Sequence, residues 1–114
     1  MTINLNSETE RFSSGSMELN LAIGSIPLLL NDDFDKVVGH VAFDSISQSE
    51  DGSQLIFTPL IEKRLVSWER LMKVEKREYS IGYRVLVSHI EGLVTMIDKF
   101  ILYQISVLTN NTDF

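Results

Sequence analysis

Cysteine is absent from this 114-residue chain. Its absence excludes a disulfide scaffold, thiolate metal ligands and a cysteine nucleophile. Proline occurs only twice, at Pro27 and Pro59, and glycine six times, which excludes collagen-like and low-complexity architectures. A positive excess is lacking too: 10 Lys and Arg stand against 16 Asp and Glu, a formal charge of −6. Such a chain has no bulk attraction for DNA or anionic membranes. No uncharged apolar run approaches the roughly 20 residues of a bilayer-spanning helix. The most apolar late stretch, Leu93–Leu108, contains Asp98, Lys99 and Gln104. Residues 1–16 lack the basic start and apolar core of a secretory signal. The expected location is the cytoplasm, with no membrane partner.

What is present is a globular balance, 44% apolar and 23% charged residues, enough for one domain. Residues 1–16 are polar and rich in Ser and Thr, and are expected to form a flexible N-terminal arm. Ile3, Leu5 and Phe12 are its candidates for docking on the body. A single domain is expected over 17–114. Met17, Leu19, Leu21 and Ile23 alternate with Glu18, Asn20 and Ala22, the period of a half-buried strand. Pro27 lacks an amide hydrogen, so Leu28–Leu30 is expected as an edge strand or a new element.

Asn31-Asp32-Asp33 is punctuation. It caps a helix in one reading, with Phe34, Val37, Val38 and Val41 on one face. In the other, favoured by Gly39 and the β-branched residues, a strand runs from Lys36 to Ser47. The polar segment ending in Asp51-Gly52 is a turn signal, and Gln54–Thr58 returns as the second strand of a hairpin.

The second half reads as helical. Thr58-Pro59 is a helix start, and Ile61, Leu65, Trp68 and Met72 recur at helical spacing, predicting a helix over 59–76. Leu86, Ile90, Leu93, Ile97, Phe100 or Ile101, and Leu108 form another such stripe, opposite Arg84, Ser88, Glu91, Thr95 and Asp98. This predicts a helix over 85–108. Over 79–87 a strand competes, because Tyr79, Ile81, Tyr83, Val85 and Val87 alternate. The expected fold is α+β: a small antiparallel sheet from the N-terminal half, packed against two C-terminal helices.

Chemistry-bearing motifs are few. Neither His40 nor His89 lies in a nucleophile-elbow or zinc-helix motif. The spacing of Asp32, Asp33, Asp35 and Asp44 lacks the central glycine and terminal glutamate of a calcium loop. The six glycines are scattered and form no phosphate-cradling loop. No catalytic residue, metal or cofactor is assigned.

Charge is distributed unevenly. Residues 1–61 hold nine acids and two bases, whereas 62–84 hold seven bases and four acids. On the expected helix Lys63, Arg70, Lys73 and Arg77 share one arc, a basic ridge suited to an acidic protein surface. Along the expected second helix Ile101, Leu102 and Ile105 lie off the main apolar stripe. A helix apolar over most of its circumference is buried or meets a partner. These seven residues are the predicted partner-binding set. The expected function is non-enzymatic: a small acidic protein acting through protein–protein contact, as a homodimer or on another protein, in a chaperone-like, inhibitor/immunity or assembly role. The alternative is a nucleic-acid-binding accessory protein using the basic ridge. A third is a small metal-dependent or hydrolytic enzyme around His40 and His89.

Overall fold

A computed structural model describes residues 1–20, 22–61 and 78–108. The described chain is built almost wholly of strands. They are β1 (Thr2–Asn4), β2 (Glu10–Phe12), β3 (Met17–Glu18), β4 (Ser25–Leu30), β5 (Asp33–Ala42), β6 (Ser47–Gln48), β7 (Gln54–Ile56), β8 (Pro59–Ile61), β9 (Glu78–Glu91) and β10 (Val94–Leu108). A single 3-10 turn, Phe43–Ser45, is the one helical piece among the described residues. The α+β expectation with two C-terminal helices is therefore overturned.

The largest correction falls on 85–108. This segment is the β9–β10 hairpin, paired antiparallel from Glu91↔Val94 to Glu78↔Leu108. Its turn has two central residues, Gly92 and Leu93. Gly92 has φ +61, while Leu93 is not among the residues of positive φ. That is the type II′ pattern, which favours glycine at the first central position and matches strand twist. The helical spacing arose from bulges. The ladder shifts register at Asp98 and again at Tyr103, each time adding a residue to β10 and inverting the alternation. The buried residues Ile97, Phe100, Leu102, Ile105 and Val107 are thus spaced three, two, three and two apart. A period of two interrupted this way imitates a helical stripe.

The proposed 59–76 helix fails at its start: Pro59–Ile61 is β8, paired with Val41, His40 and Gly39 of β5. β8 ends its side of the sheet, a place where proline is tolerated. The rest of that expected helix lies outside the described residues. Of the strand expected over 36–47, β5 supplies only the part to Ala42, the 3-10 turn Phe43–Ser45 ending it, and its partners are β4 and β8. The returning strand β7 instead joins β1 and β6 in a three-stranded sheet.

β10 is the spine of the larger, seven-stranded sheet. β9 runs along one edge. Three successive segments, β2, β3 and β4, run parallel along the other, at Thr95–Ile97, Phe100–Ile101 and Ile105–Val107. Within residues 1–16, expected as a flexible arm, β1 pairs with β7 and β2 with β10, and Ile3, Leu5 and Phe12 are buried. Pro27 does not make β4 an edge, because pairing with β10 begins only at Leu28. β4 is flanked by β10 and β5, and Ile26, Leu28, Leu29 and Leu30 are all buried, as the near-continuous apolar run of an interior strand requires. Asn31 and Asp32, with φ 50 and 58, make the two-residue turn into β5, both left-handed as type I′ demands. The strand expected from Met17 stops at Glu18.

The core joins both sheets. Phe12, Phe100 and Tyr83 meet edge to face, with ring centroids 4.9 to 5.8 Å apart, and Phe57 meets Tyr79 at 5.2 Å. Phe57 and Phe100 are fully buried, each contributing about 1.5–3 kcal/mol by burial. Among the described residues no helix is long and apolar enough to cross a membrane.

Candidate protein-contact surface

β9 is the outermost strand on its side of the sheet. Among the described residues it pairs with β10 alone. Its first half is anchored: Tyr79, Ile81 and Tyr83 oppose Val107, Ile105 and Leu102, and pack on the core. The second half is not. Every residue from Arg84 to Leu93 is exposed. That stretch includes Val85, Leu86 and Val87, followed by Ile90 at 76% and Leu93 at 97% exposure. Val85 and Ile90 oppose Phe100 and Thr95 on one face of the ladder, and Val87 opposes Lys99 on the other, so the exposed apolar side chains border both sides of this end of β9. Leu86 is itself a bulge: Val87 and Val85 oppose the adjacent Lys99 and Phe100, leaving Leu86 without a partner across the ladder. The bulge breaks the regular edge into Glu78–Val85 and Val87–Glu91.

Polar groups fix the surrounding frame. His89 stands between two carboxylates, with Nδ1 2.5 Å from Asp98 Oδ2 and Nε2 3.0 Å from Glu91 Oε1. Hydrogen bonding to Glu91, then to Asp98, raises the imidazole pKa above its ordinary 6.5. The His89 hydrogen bond in turn holds the Asp98 carboxyl below its ordinary value. Asp98 Oδ1 accepts from Ser13 Oγ at 3.0 Å. On the inner face Tyr83 donates its phenolic hydrogen to Glu10. Desolvation, and then that carboxylate, push the phenol up to about 12. Lys99 and Glu18 pair at 3.1 Å.

The Ser13–Asp98–His89 line differs from a hydrolytic triad. There the imidazole stands between hydroxyl and carboxylate and takes the hydroxyl proton. Here the carboxylate is in the middle, and the second imidazole nitrogen faces Glu91. Asp98 and Glu91 approach different ring nitrogens, so the three side chains do not converge on a common point. Among the described residues no group of three or more His, Asp and Glu is arranged to hold a metal ion. His40 lies on β5 opposite Pro27 and Leu60 and is not brought to His89.

Of the predicted partner-binding residues, Lys63, Arg70, Lys73 and Arg77 lie outside the described residues. Leu102 and Ile105 are buried in the core, and Ile101 is half-buried. These three line the β10 ladder beside β9. Helical spacing had placed Leu86, Ile90 and Leu93 on the inner stripe. The overlooked signal was Glu91-Gly92-Leu93-Val94, a two-residue turn between long β-rich flanks. No protein-family model, curated protein or solved structure matches the chain.

Proposed function

We propose that this chain is a non-enzymatic protein that works by protein–protein contact, and that the exposed run of β9 with its turn is the contacting surface. The observation that carries this reading is that Val85, Leu86, Val87, Ile90 and Leu93 are all exposed on an outermost strand and its turn. Covering these side chains favours association by about 25 cal/mol per Å² of apolar surface removed from water. Two clefts lined by described residues are small. One, of about 150 Å³, lies between Ile3–Leu5, Phe12, Tyr79–Ile81 and Tyr83, and the other, of about 240 Å³, between Arg11, Glu91, Val94 and Met96. Small-molecule sites run to roughly 300–1,000 Å³.

A photo-crosslinking side chain at position 93, in cells expressing the full chain, tests the reading. A discrete protein adduct is expected there and not with the same side chain at exposed Asn20. Adding Ile90→Ser should abolish it. Equal, diffuse labelling at both positions would sink the proposal.

A further inference from the structure

We infer that β9 pairs with β9 of a second copy, antiparallel across a two-fold axis at Ile81, so that Glu78 of each protomer meets Arg84 of the other. This inference rests on the reading of β9 as a contacting strand and names a second copy as the partner of its Glu78–Arg84 half, the exposed run from Val85 to Leu93 lying outside the paired register. Geometry restricts the possible registers. A two-fold axis normal to a sheet leaves every side chain on its own face, and residues opposite each other in a sheet share a face. The axis must therefore pass through a pair of identical residues, never between neighbours.

The regular part of the edge, Glu78–Val85 before the bulge at Leu86, offers few such centres. With the axis at Ile81, Ser80 opposes the partner's Gly82 and Tyr79 opposes the partner's Tyr83. Glu78 then stands against the partner's Arg84, twice by symmetry. Moving the axis to Ser80 or Gly82 takes both charges out of register, and moving it to Arg84 sets like charges together. Charge complementarity thus selects one register.

Both charged side chains are exposed and make no ion pair among the described residues. They lie on the same face of β9, since their ladder partners Leu108 and Ile101 alternate with the core-facing Val107 and Phe100. An edge of this length invites pairing, and a closed two-fold assembly satisfies it without open polymerisation.

Sedimentation velocity on the full chain tests this inference. The wild type should show a concentration-dependent dimer of twice 13.0 kDa. Arg84→Glu and Glu78→Arg should each raise the dissociation constant about tenfold or more, because opposed like charges replace opposed unlike ones at two symmetric points. The double reversal should restore it. The missing cysteines allow a second readout: Ile81→Cys should oxidise to a covalent dimer, since opposed strand residues stand within disulfide reach. A wild type that is monomeric throughout, or a dimer indifferent to both single reversals or not rescued by the double one, overturns the inference. If the position-93 adduct then holds a different polypeptide, the contact reading survives without the self-pairing. If no adduct forms, the contact reading falls too.

Discussion

His89 reaches Asp98 across the β9–β10 ladder only because Asp98 is the extra residue of a bulge. Ser88 opposes Ile97 and Val87 opposes Lys99, so Asp98 has no ladder partner and its carboxylate turns to the imidazole. The two groups titrate in opposite directions, and the signs define a window. A raised imidazole pKa means that the folded chain holds the proton more tightly than the unfolded one. Its contribution is full below 6.5 and is lost as pH rises through the raised folded value. A depressed carboxyl contributes above 3.8 and loses its contribution as pH falls through the depressed folded value. The clamp is therefore strongest between 3.8 and 6.5. Amide exchange, corrected for its intrinsic pH dependence, should find the Gly92 turn better protected at about pH 5.5 than at about pH 8.5. His89→Ala should remove that difference. An NMR titration of the imidazole should give a value above 6.5 in the wild type and a lower one in Asp98→Asn. A pH-independent turn would refute the clamp.

The parts of this fold legible in the sequence were those where one local rule acted alone. Asp51-Gly52 announced its turn, and the β-branched residues around Val37 and Val41 announced β5. Where two rules overlapped, the pattern misled. Asp98 and Tyr103 each insert a residue into β10, and the broken alternation of Ile97, Phe100, Leu102, Ile105 and Val107 passes for a helix. Pro59 opens a helix by local preference, yet starts an edge strand here because β5 offers it a partner. Ile3, Leu5 and Phe12 sit among polar residues, and their burial depends on β7 and β10, more than 40 residues away. Long-range pairing of that kind leaves no local trace. The exposure of Ile90 and Leu93 was hidden for the same reason, because it depends on where the fold places that end of β9.

Gly52 meets two separate demands. Its φ is +82, and a β carbon there would stand 2.4 Å from the Phe12 carbonyl oxygen and 2.5 Å from the Ser13 carbonyl carbon. The obstacle is backbone, which cannot swing aside as a side chain would. Gly52→Ala should therefore cost about 2–4 kcal/mol, from left-handed strain together with overpacking. Urea denaturation should report it as a lower midpoint at an unchanged slope. Asp51 beside it should keep its carboxyl near 2, held there first by the Ser53 hydroxyl, then by the Ser53 amide and Ser49. A loss below about 0.5 kcal/mol would mean that the turn shifts freely away from β2.

Tyr83 spans β10 to reach Glu10 on β2, tying the outermost strand to the N-terminal segment over the Phe100 ring. Two contributions meet in this side chain, and substitution separates them. Tyr83→Phe keeps the edge-to-face contacts with Phe12 and Phe100 but removes the donor to the carboxylate. The expected loss is about 1–2 kcal/mol, between a neutral and a charge-assisted hydrogen bond. Tyr83→Ala also removes the ring and should cost about 3–5 kcal/mol. The phenol supplies an independent measure. Its pKa, raised from 10.0 to about 12 by desolvation and by Glu10, makes the folded chain the stronger proton binder. That contribution is complete below 10.0 and is lost as pH climbs through about 12. Absorbance titration should therefore find a late phenol in the wild type, absent from Tyr83→Phe and shifted down in Glu10→Gln. If Glu10→Gln leaves the late phenol in place, desolvation alone sets it, and the tie to β2 contributes nothing to the ionisation.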